Sequence, residues 1–190
     1  MCIRDRLYIS ECEAPHRCYV ENITEYGSRL IQIIQFRIEN KPQAVHDWIV
    51  DRETNHIYAV TQLYPFNKER NGFATQIVKF NLPSINIPQV ILSDVDIEDS
   101  FEVFFPHILQ GGVIHNHTLY FPSGASADSQ LQYGKEKAIV IIDLKEKKIK
   151  RIIDVQDILN NEPEGGAFWG KSLIISCAPK GLYQFFLKDE

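Results

Sequence analysis

Residues 112–153 read GVIHNHTLYFPSGASADSQLQYGKEKAIVIIDLKEKKIKRII, and this stretch decides the fold. It contains short runs of β-branched and aromatic residues, separated by Asn-His, Gly-Ala-Ser and Lys-Glu-Lys clusters that are typical of turns. None of the runs shows the 3.6-residue spacing of an amphipathic helix. The stretch therefore predicts four consecutive antiparallel strands, which we label a to d in chain order.

The same order of strands recurs on both sides of this stretch. Strand b carries an apolar-Tyr pair in three copies, at Leu7-Tyr8, Ile57-Tyr58 and Leu119-Tyr120. Four strands in a repeat of about 40–50 residues are the signature of a β-propeller blade. A β-sandwich is the alternative, but it gives no reason for a repeated strand order. We therefore predict an all-β chain, a partial β-propeller over 7–190, with about four blades of a six- or seven-bladed ring at 7–37, 44–94, 110–154 and 163–190.

The prediction also concerns the two ends of the chain. Met1–Arg6 resembles a translated sequencing adapter, so residues 1–6 are predicted to be a non-native tag on a fragment. The first blade is then expected to lack its inner strand and the last blade its outer strand.

Of the four cysteines, Cys2 falls in this tag and none has CxxC spacing, which disfavours a zinc site. Cys12 and Cys18 suit either a disulfide in an oxidising compartment or two free thiols.

Composition excludes several classes of function. The 190 residues are 44% hydrophobic and 24% charged, which is ordinary for a globular protein and excludes disorder. The 20 basic and 25 acidic residues give a net charge of −5, so nucleic acid is not an expected partner. No run approaches the roughly 18 apolar residues of a membrane-spanning helix, and no transmembrane segment is predicted.

Loop length predicts which end of the blades binds a ligand. The a–b and c–d turns are short, whereas the b–c connections at 63–72 and 124–136 and the d–a connection at 94–109 are long. Long polar loops on a rigid scaffold are the usual place for binding residues. We therefore expect a small molecule, a glycan or a protein to bind at the long-loop face. Aromatic residues in these loops suit either stacking on sugars or packing of the loops: Tyr64, Phe66 and Tyr133.

The candidate ligand-binding residues lie where strand a begins. The repeat register places His46 and Asp47, Gln110, and Glu164 at equivalent positions in three blades. Equivalent positions are related by rotation about the ring axis, so these side chains are predicted to converge on one channel mouth. They suit a divalent cation or sugar hydroxyls. They equally suit hydrogen bonds to neighbouring backbone groups or to channel waters.

Several segments carry a family resemblance. The segments His46–Asp51, Leu119–Gly124 and Glu162–Gly165 resemble the six-bladed β-propeller proteins of Bacteroidetes, relatives of the NHL, SMP-30 and TolB-like propellers. The resemblance implies an exported protein of the periplasm or cell envelope. It carries over no catalytic residue, because that family has no assigned chemistry.

A second resemblance supplies the alternative function. Glu164-Gly165 is similar to the Glu-Gly opening of SMP-30-type lactonases, in which the glutamate binds the metal; here residue 166 is Gly instead of Pro, and Trp169 is displaced by one position. No Ser-His-Asp or Cys-His arrangement follows from the spacing. The sequence therefore favours a non-enzymatic binding or scaffold propeller without a cofactor. The alternative is a metal-dependent hydrolase or lactonase that holds Ca²⁺ or Zn²⁺ through Glu164.

Overall fold

The computed structural model describes residues 2–3, 6–11 and 13–187. Part of the predicted tag (Met1, Arg4 and Asp5), Cys12 with the alternative disulfide, and residues 188–190 lie outside the described residues. Within the described ranges the chain is almost entirely strand and turn, and the helix present there is a 3₁₀ turn at Asp94–Asp96. No helix in that part of the chain is long and apolar enough to cross a membrane.

The first sheet is built from strands that follow one another in sequence. It runs in the order β1 to β5 with antiparallel neighbours. The long β3–β4 pair has a register shift between Val20 and Glu21, which is a β-bulge. The strand bounds are β1 Cys2–Ile3, β2 Arg6–Ser10, β3 Cys18–Thr24, β4 Gly27–Ile38 and β5 Lys41–Pro42.

The second sheet corrects one strand assignment. Its order is β6-β7-β8-β10, from β6 Asp47–Asp51, β7 His56–Asn67, β8 Gly72–Asn81 and β10 Ile97–Phe105. The intervening β9, Gln89–Leu92, pairs in parallel with β4 of the first sheet. The boundary of the blade predicted at 44–94 and the d–a connection predicted at 94–109 are therefore wrong, because β10 lies within 94–109 and is the outer strand of this sheet. β9 pairs with β4 because Val90 and Leu92 pack into the hydrophobic core of that sheet.

The third and fourth sheets follow the repeat closely. The third is β11 Val113–His115, β12 Thr118–Ser123, β13 Ala138–Asp143 and β14 Lys148–Asp154 in sequence order. The turn from β11 to β12 places Asn116 and His117 at φ values of 48° and 56°, as a tight hairpin turn requires. In the described residues the fourth sheet has three strands, β15 Glu162–Trp169, β16 Ser172–Ala178 and β17 Leu182–Phe186.

The chain divides into two compact units, each with its own buried apolar side chains. The first comprises Met1–Thr61 and Gln76–Phe101, and the second Gln62–Thr75 and Glu102–Glu190. The first unit buries Phe36, Trp48 and Phe80 in one cluster. In the second unit β15 packs against β11 and β12, and the fully buried side chains there include Phe121, Leu119, Ile142 and Leu173.

These sheets define the fold class. Four successive antiparallel sheets, each made mainly of strands consecutive in sequence, are blades arranged as in a β-propeller. The prediction of an all-β partial propeller with about four blades is confirmed. A sandwich of two packed sheets is not what the chain forms.

Candidate functional site

His46 and Asp47 lie at the start of β6 in the first unit, where the sequence predicted them. The Asp47 carboxylate accepts a hydrogen bond of 2.8 Å from the Ser10 hydroxyl, and that hydroxyl accepts one of 2.8 Å from the Trp48 amide. Asp47 therefore ties the beginning of β6 to the end of β2. Ligand binding by Asp47 stays a prediction.

His46 has a histidine neighbour that the sequence did not indicate. The ring centroids of His46 and His16 are 6.4 Å apart. Burial lowers the pKa of His46, and the charge of His16 lowers it further. His16 is held because its carbonyl accepts the indole N–H of Trp48 at 3.2 Å. It lies at φ 57° in the connection from β2 to β3, where no strand alternation marks it.

Gln110 is held in the second unit by a carboxylate that the sequence reading did not single out. Its Nε2 donates to Glu162 Oε1 at 3.0 Å and to the Gly124 carbonyl at 2.9 Å. The other oxygen of Glu162 accepts the Ser126 amide at 3.1 Å. Glu162 lies in the first strand of the fourth sheet. Its carboxylate therefore holds two other segments to that strand: the start of the third sheet and the loop after β12.

Glu164 occupies a bulge in β15. Pro163 pairs with Cys177 and Gly165 with Ser176, so Glu164 has no partner across the ladder and its side chain is exposed. Its carbonyl accepts the Gly111 amide at 3.1 Å. Desolvation raises the pKa of the Glu164 carboxyl, and the charge of Glu162 raises it further. A bulge re-aims one side chain out of the alternation, and here that side chain is the predicted metal ligand.

The four candidates thus fall into two local groups, one in each unit. The structure brings Gln110 together with the segment that carries Glu164, and it places Asp47 next to His46 with Ser10 and His16. Their convergence on one channel mouth stays a prediction. Among the described residues, no three His, Cys, Asp or Glu side chains lie close enough together to hold a metal ion.

The long connections of the second unit are fixed by hydrogen bonds. We call residues 62–75, 106–112 and 124–137 the loop platform. The amide of the buried Gln62 donates to the His107 carbonyl at 2.8 Å and accepts the Leu109 amide at 2.9 Å. His107 Nδ1 lies 3.0 Å from the Glu136 carbonyl, and the Gly124 amide donates to the Ile108 carbonyl at 2.8 Å.

Aromatic side chains complete the loop platform. Phe66 and Tyr133 stack with centroids 4.5 Å apart, and Phe73 packs edge-on against Phe66 at 5.0 Å. Tyr64 packs edge-on against the other side of this cluster, 5.1 Å from Phe73, and remains 49% exposed. Phe66 and Tyr133 therefore pack the loops together, and stacking of Tyr64 on a ligand stays a prediction. The connection predicted at 63–72 is also shorter than expected, since β7 extends to Asn67.

The chain is similar to several solved structures. No family model matches the chain, and no curated protein is similar to it. Solved structures similar to it include BamB from Moraxella catarrhalis, at 8% identity and a TM-score of 0.46. Others are the WD40 β-propeller domain of Doa1, at 8% and 0.42, and the computationally designed Ika8 protein, at 7% and 0.40.

These alignments cover nearly all of this chain and about half of each neighbour. They include 98%, 92% and 98% of this chain, and 42%, 59% and 57% of BamB, Doa1 and Ika8. The chain therefore spans about half the length of the structures it resembles.

Proposed function

We propose that this chain is a binding module without catalysis of its own, which holds its ligand on the loop platform. The observation that carries this proposal is the way the platform loops are fixed. Buried Gln62, the Glu162 carboxylate and the Phe66–Tyr133 stack hold them to the blades. Loops ordered before binding do not lose conformational entropy when the ligand arrives, and binding surfaces are commonly built in this way.

Tyr64 is the side chain on which the ligand is proposed to pack. Its ring is oriented by Phe73 and is 49% exposed, and neighbouring Leu63 is 47% exposed. A fixed aromatic ring with a polar edge offers a large apolar contact at low entropic cost. The proposed ligand is a glycan, a small molecule or a protein segment with a flat apolar face.

The alternative function rests on Glu164. Its exposed carboxyl with a raised pKa is the one observation that favours the hydrolase. The residues around it do not fit a metal centre, because the described part of the chain contains no cluster of three ligating side chains. No catalytic step is therefore derived through a metal.

A binding panel tests the proposal against this alternative. The purified protein is screened with glycans and small molecules by thermal shift, and each hit is repeated with Tyr64→Ala. We expect Tyr64→Ala to abolish binding while the control Tyr26→Ala, which alters a 92% exposed ring in the first unit, leaves it unchanged. Stoichiometric Ca²⁺ or Zn²⁺ together with lactone hydrolysis, both lost in Glu164→Gln, would replace the binding module with the hydrolase.

Export and ring size belong to the same proposal. The resemblance to Bacteroidetes propellers supports an exported protein of the cell envelope with six or seven blades. Recovery of the full gene and fractionation of the source cells test both points. A cytosolic product, or a ring of another size, would contradict them.

A further inference from the structure

The fourth sheet has one buried face and one exposed face. Residues paired across antiparallel strands point to the same side of a sheet, so the register assigns each side chain to a face. Leu173 and Ile175 are fully buried and belong to the face that packs against β11 and β12. We call the opposite face the outer face. It consists of three rows across β15, β16 and β17, which are Trp169-Ser172-Phe186, Ala167-Ile174-Gln184 and Gly165-Ser176-Leu182.

Three large apolar side chains of the outer face are exposed. Trp169 is 83% exposed, Phe186, which also borders the cleft between the third and fourth sheets, 76%, and Leu182 74%. None of the positions in the three rows carries a charged residue, and the Gln184 amide donates to the Ser172 hydroxyl at 3.0 Å within the sheet. The three exposed side chains present on the order of 500 Å² of apolar surface. An exposed apolar patch of this size marks an interaction site.

The outer face is complementary in size to itself when its two ends are exchanged. A two-fold axis along the central row lays each strand over the same strand of a second copy and reverses its direction. It places Trp169 over Gly165 of the second copy, which has no side chain to obstruct the indole. It places Phe186 over Leu182 of the second copy, and Ile174 meets its own equivalent at the axis.

Charged residues border the outer face at opposite ends. Glu164 lies in the bulge beside Gly165, and Lys171 lies in the turn beside Trp169. The two-fold arrangement brings the Glu164 end of one copy to the Lys171 end of the other. Like charges of the two copies therefore do not meet at the edges of the face.

We propose that the outer face of the fourth sheet is an interface between two copies of this chain. Sheets that pack face to face interdigitate their side chains, and a two-fold contact uses the same patch on both subunits. The apolar surface of the two copies together is about 1,000 Å², which is the smallest area of a specific interface. The proposal is independent of the loop platform. It concerns the 190-residue chain, because a further blade of the ring proposed for the full gene product would cover the same face.

Sedimentation velocity over a series of concentrations measures the association. We expect a dimer that dissociates on dilution. Ile174→Lys places two like charges at the axis and should weaken the dimer at least tenfold. Val95→Lys, at an 86% exposed residue of the first unit, is the matched control and should leave the dimer unchanged. A chain that ends at Leu187 should dimerise like the parent, since residues 188–190 are not part of the three rows.

Mixed variants test the register of the two copies. Phe186→Lys and Leu182→Asp should each weaken the homodimer, because each buries two charges in an apolar contact. An equimolar mixture of the two variants should restore a heterodimer, because the introduced ammonium of one copy faces the introduced carboxylate of the other. A mixture of Phe186→Lys with Val95→Asp is the matched control and should restore nothing. Native mass spectrometry distinguishes the heterodimer from the two homodimers.

The fluorescence of Trp169 reports the interface directly. Acrylamide quenching should decrease as the protein concentration rises, and the other tryptophan, Trp48, is only 2% exposed and contributes little to this change. Circular dichroism checks that each variant is folded, and the exposed positions 182 and 186 decide the matter if Ile174→Lys is not.

Three outcomes would overturn the proposal. A monomer at every concentration would assign the outer face to a different occupant, such as a further blade. A dimer that survives Ile174→Lys would place the contact on another surface. Loss of the dimer in the chain that ends at Leu187 would assign the contact to residues 188–190.

Discussion

Replacing Gly124 with alanine should destabilise the second unit far more than the same change at Gly170. Gly124 has φ +121°, and a Cβ there would lie 2.6 Å from the Glu136 carbonyl oxygen and 2.9 Å from Lys137 Cα. Both are backbone atoms, so the loop itself must move. Gly170 also has a positive φ, +58°, but a Cβ there meets nothing within 4 Å. The pair therefore separates a steric clash from backbone strain.

The expected cost follows from these distances. A side chain held in a sparsely populated backbone region costs about 1–3 kcal/mol. Movement of the loop also lengthens the bond from the Gly124 amide to Ile108 and that from the Ala125 amide to Lys135, now 2.8 and 3.3 Å. Each such bond contributes about 0.5–1.5 kcal/mol. Gly124→Ala should therefore lower the free energy of unfolding by about 2–6 kcal/mol, and Gly170→Ala by about 1–2 kcal/mol.

Urea unfolding followed by far-UV circular dichroism measures both values in parallel. Hydrogen exchange should also show faster exchange of the Ala125 amide in Gly124→Ala and no change there in Gly170→Ala. Equal losses of stability in the two variants would refute the reasoning, because the clash would then contribute nothing.

Three further predictions concern single side chains. Glu162→Ala should speed hydrogen exchange at the Ser126 amide and lower the free energy of unfolding by about 1–3 kcal/mol. The control Glu146→Ala, on an exposed turn, should leave exchange of that amide unchanged. Equal exchange in both variants would show that the Glu162 carboxylate does not hold the loop. The pKa of Glu164 is raised, so its charged form is disfavoured in the folded state and the cost appears as pH rises above the ordinary range of a glutamate. Glu164→Gln should therefore raise the melting temperature at pH 7 and lose this advantage at pH 4, and an equal gain at both values would contradict the assignment. Burial raises the pKa of Cys18 to about 12, so peptide mapping after iodoacetamide treatment at pH 8 should find Cys18 unmodified until denaturant is added, and rapid native labelling would contradict its burial.

The third sheet shows what could be predicted from sequence. The runs at 119–122 and 138–144 are short, β-branched and bounded by turn residues, and they correspond to β12 and β13. Local composition was sufficient because each strand pairs with the next one in the chain. The recurrence of this strand order along the chain then predicted the strands of the other blades.

The second sheet shows why part of the fold escaped prediction. β10 begins with Ile97 followed by the polar run Glu98-Asp99-Ser100, and this run makes the segment resemble a polar loop. The acid is tolerated because His56 Nε2 lies 2.8 Å and Lys79 Nζ 3.4 Å from its carboxylate. These partners come from β7 and β8, so the pattern of the segment alone does not show that the charge is paired.

Some residues of the candidate site were not predicted from the sequence for a similar reason. Repeat register singled out Gln110 and Glu164 as candidates, whereas the contacts of Glu162 are with the Ser126 amide and with Gln110, which lies 52 residues earlier in the chain. His16 lies in a connection, where neither alternation nor register applies.

The parallel pairing of β9 with β4 has a consequence for how such a chain can evolve. Loss of one repeat from a repeat protein is best tolerated when that repeat supplies no strand to the sheet of another. Here Gln89–Leu92 is encoded within the second repeat but completes the sheet of the first. Deletion of the second repeat would remove Val90 and Leu92 from the neighbouring core as well. A ribosome must also make residue 92 before the first sheet can acquire this strand, so the first sheet is completed only while the second repeat is being synthesised.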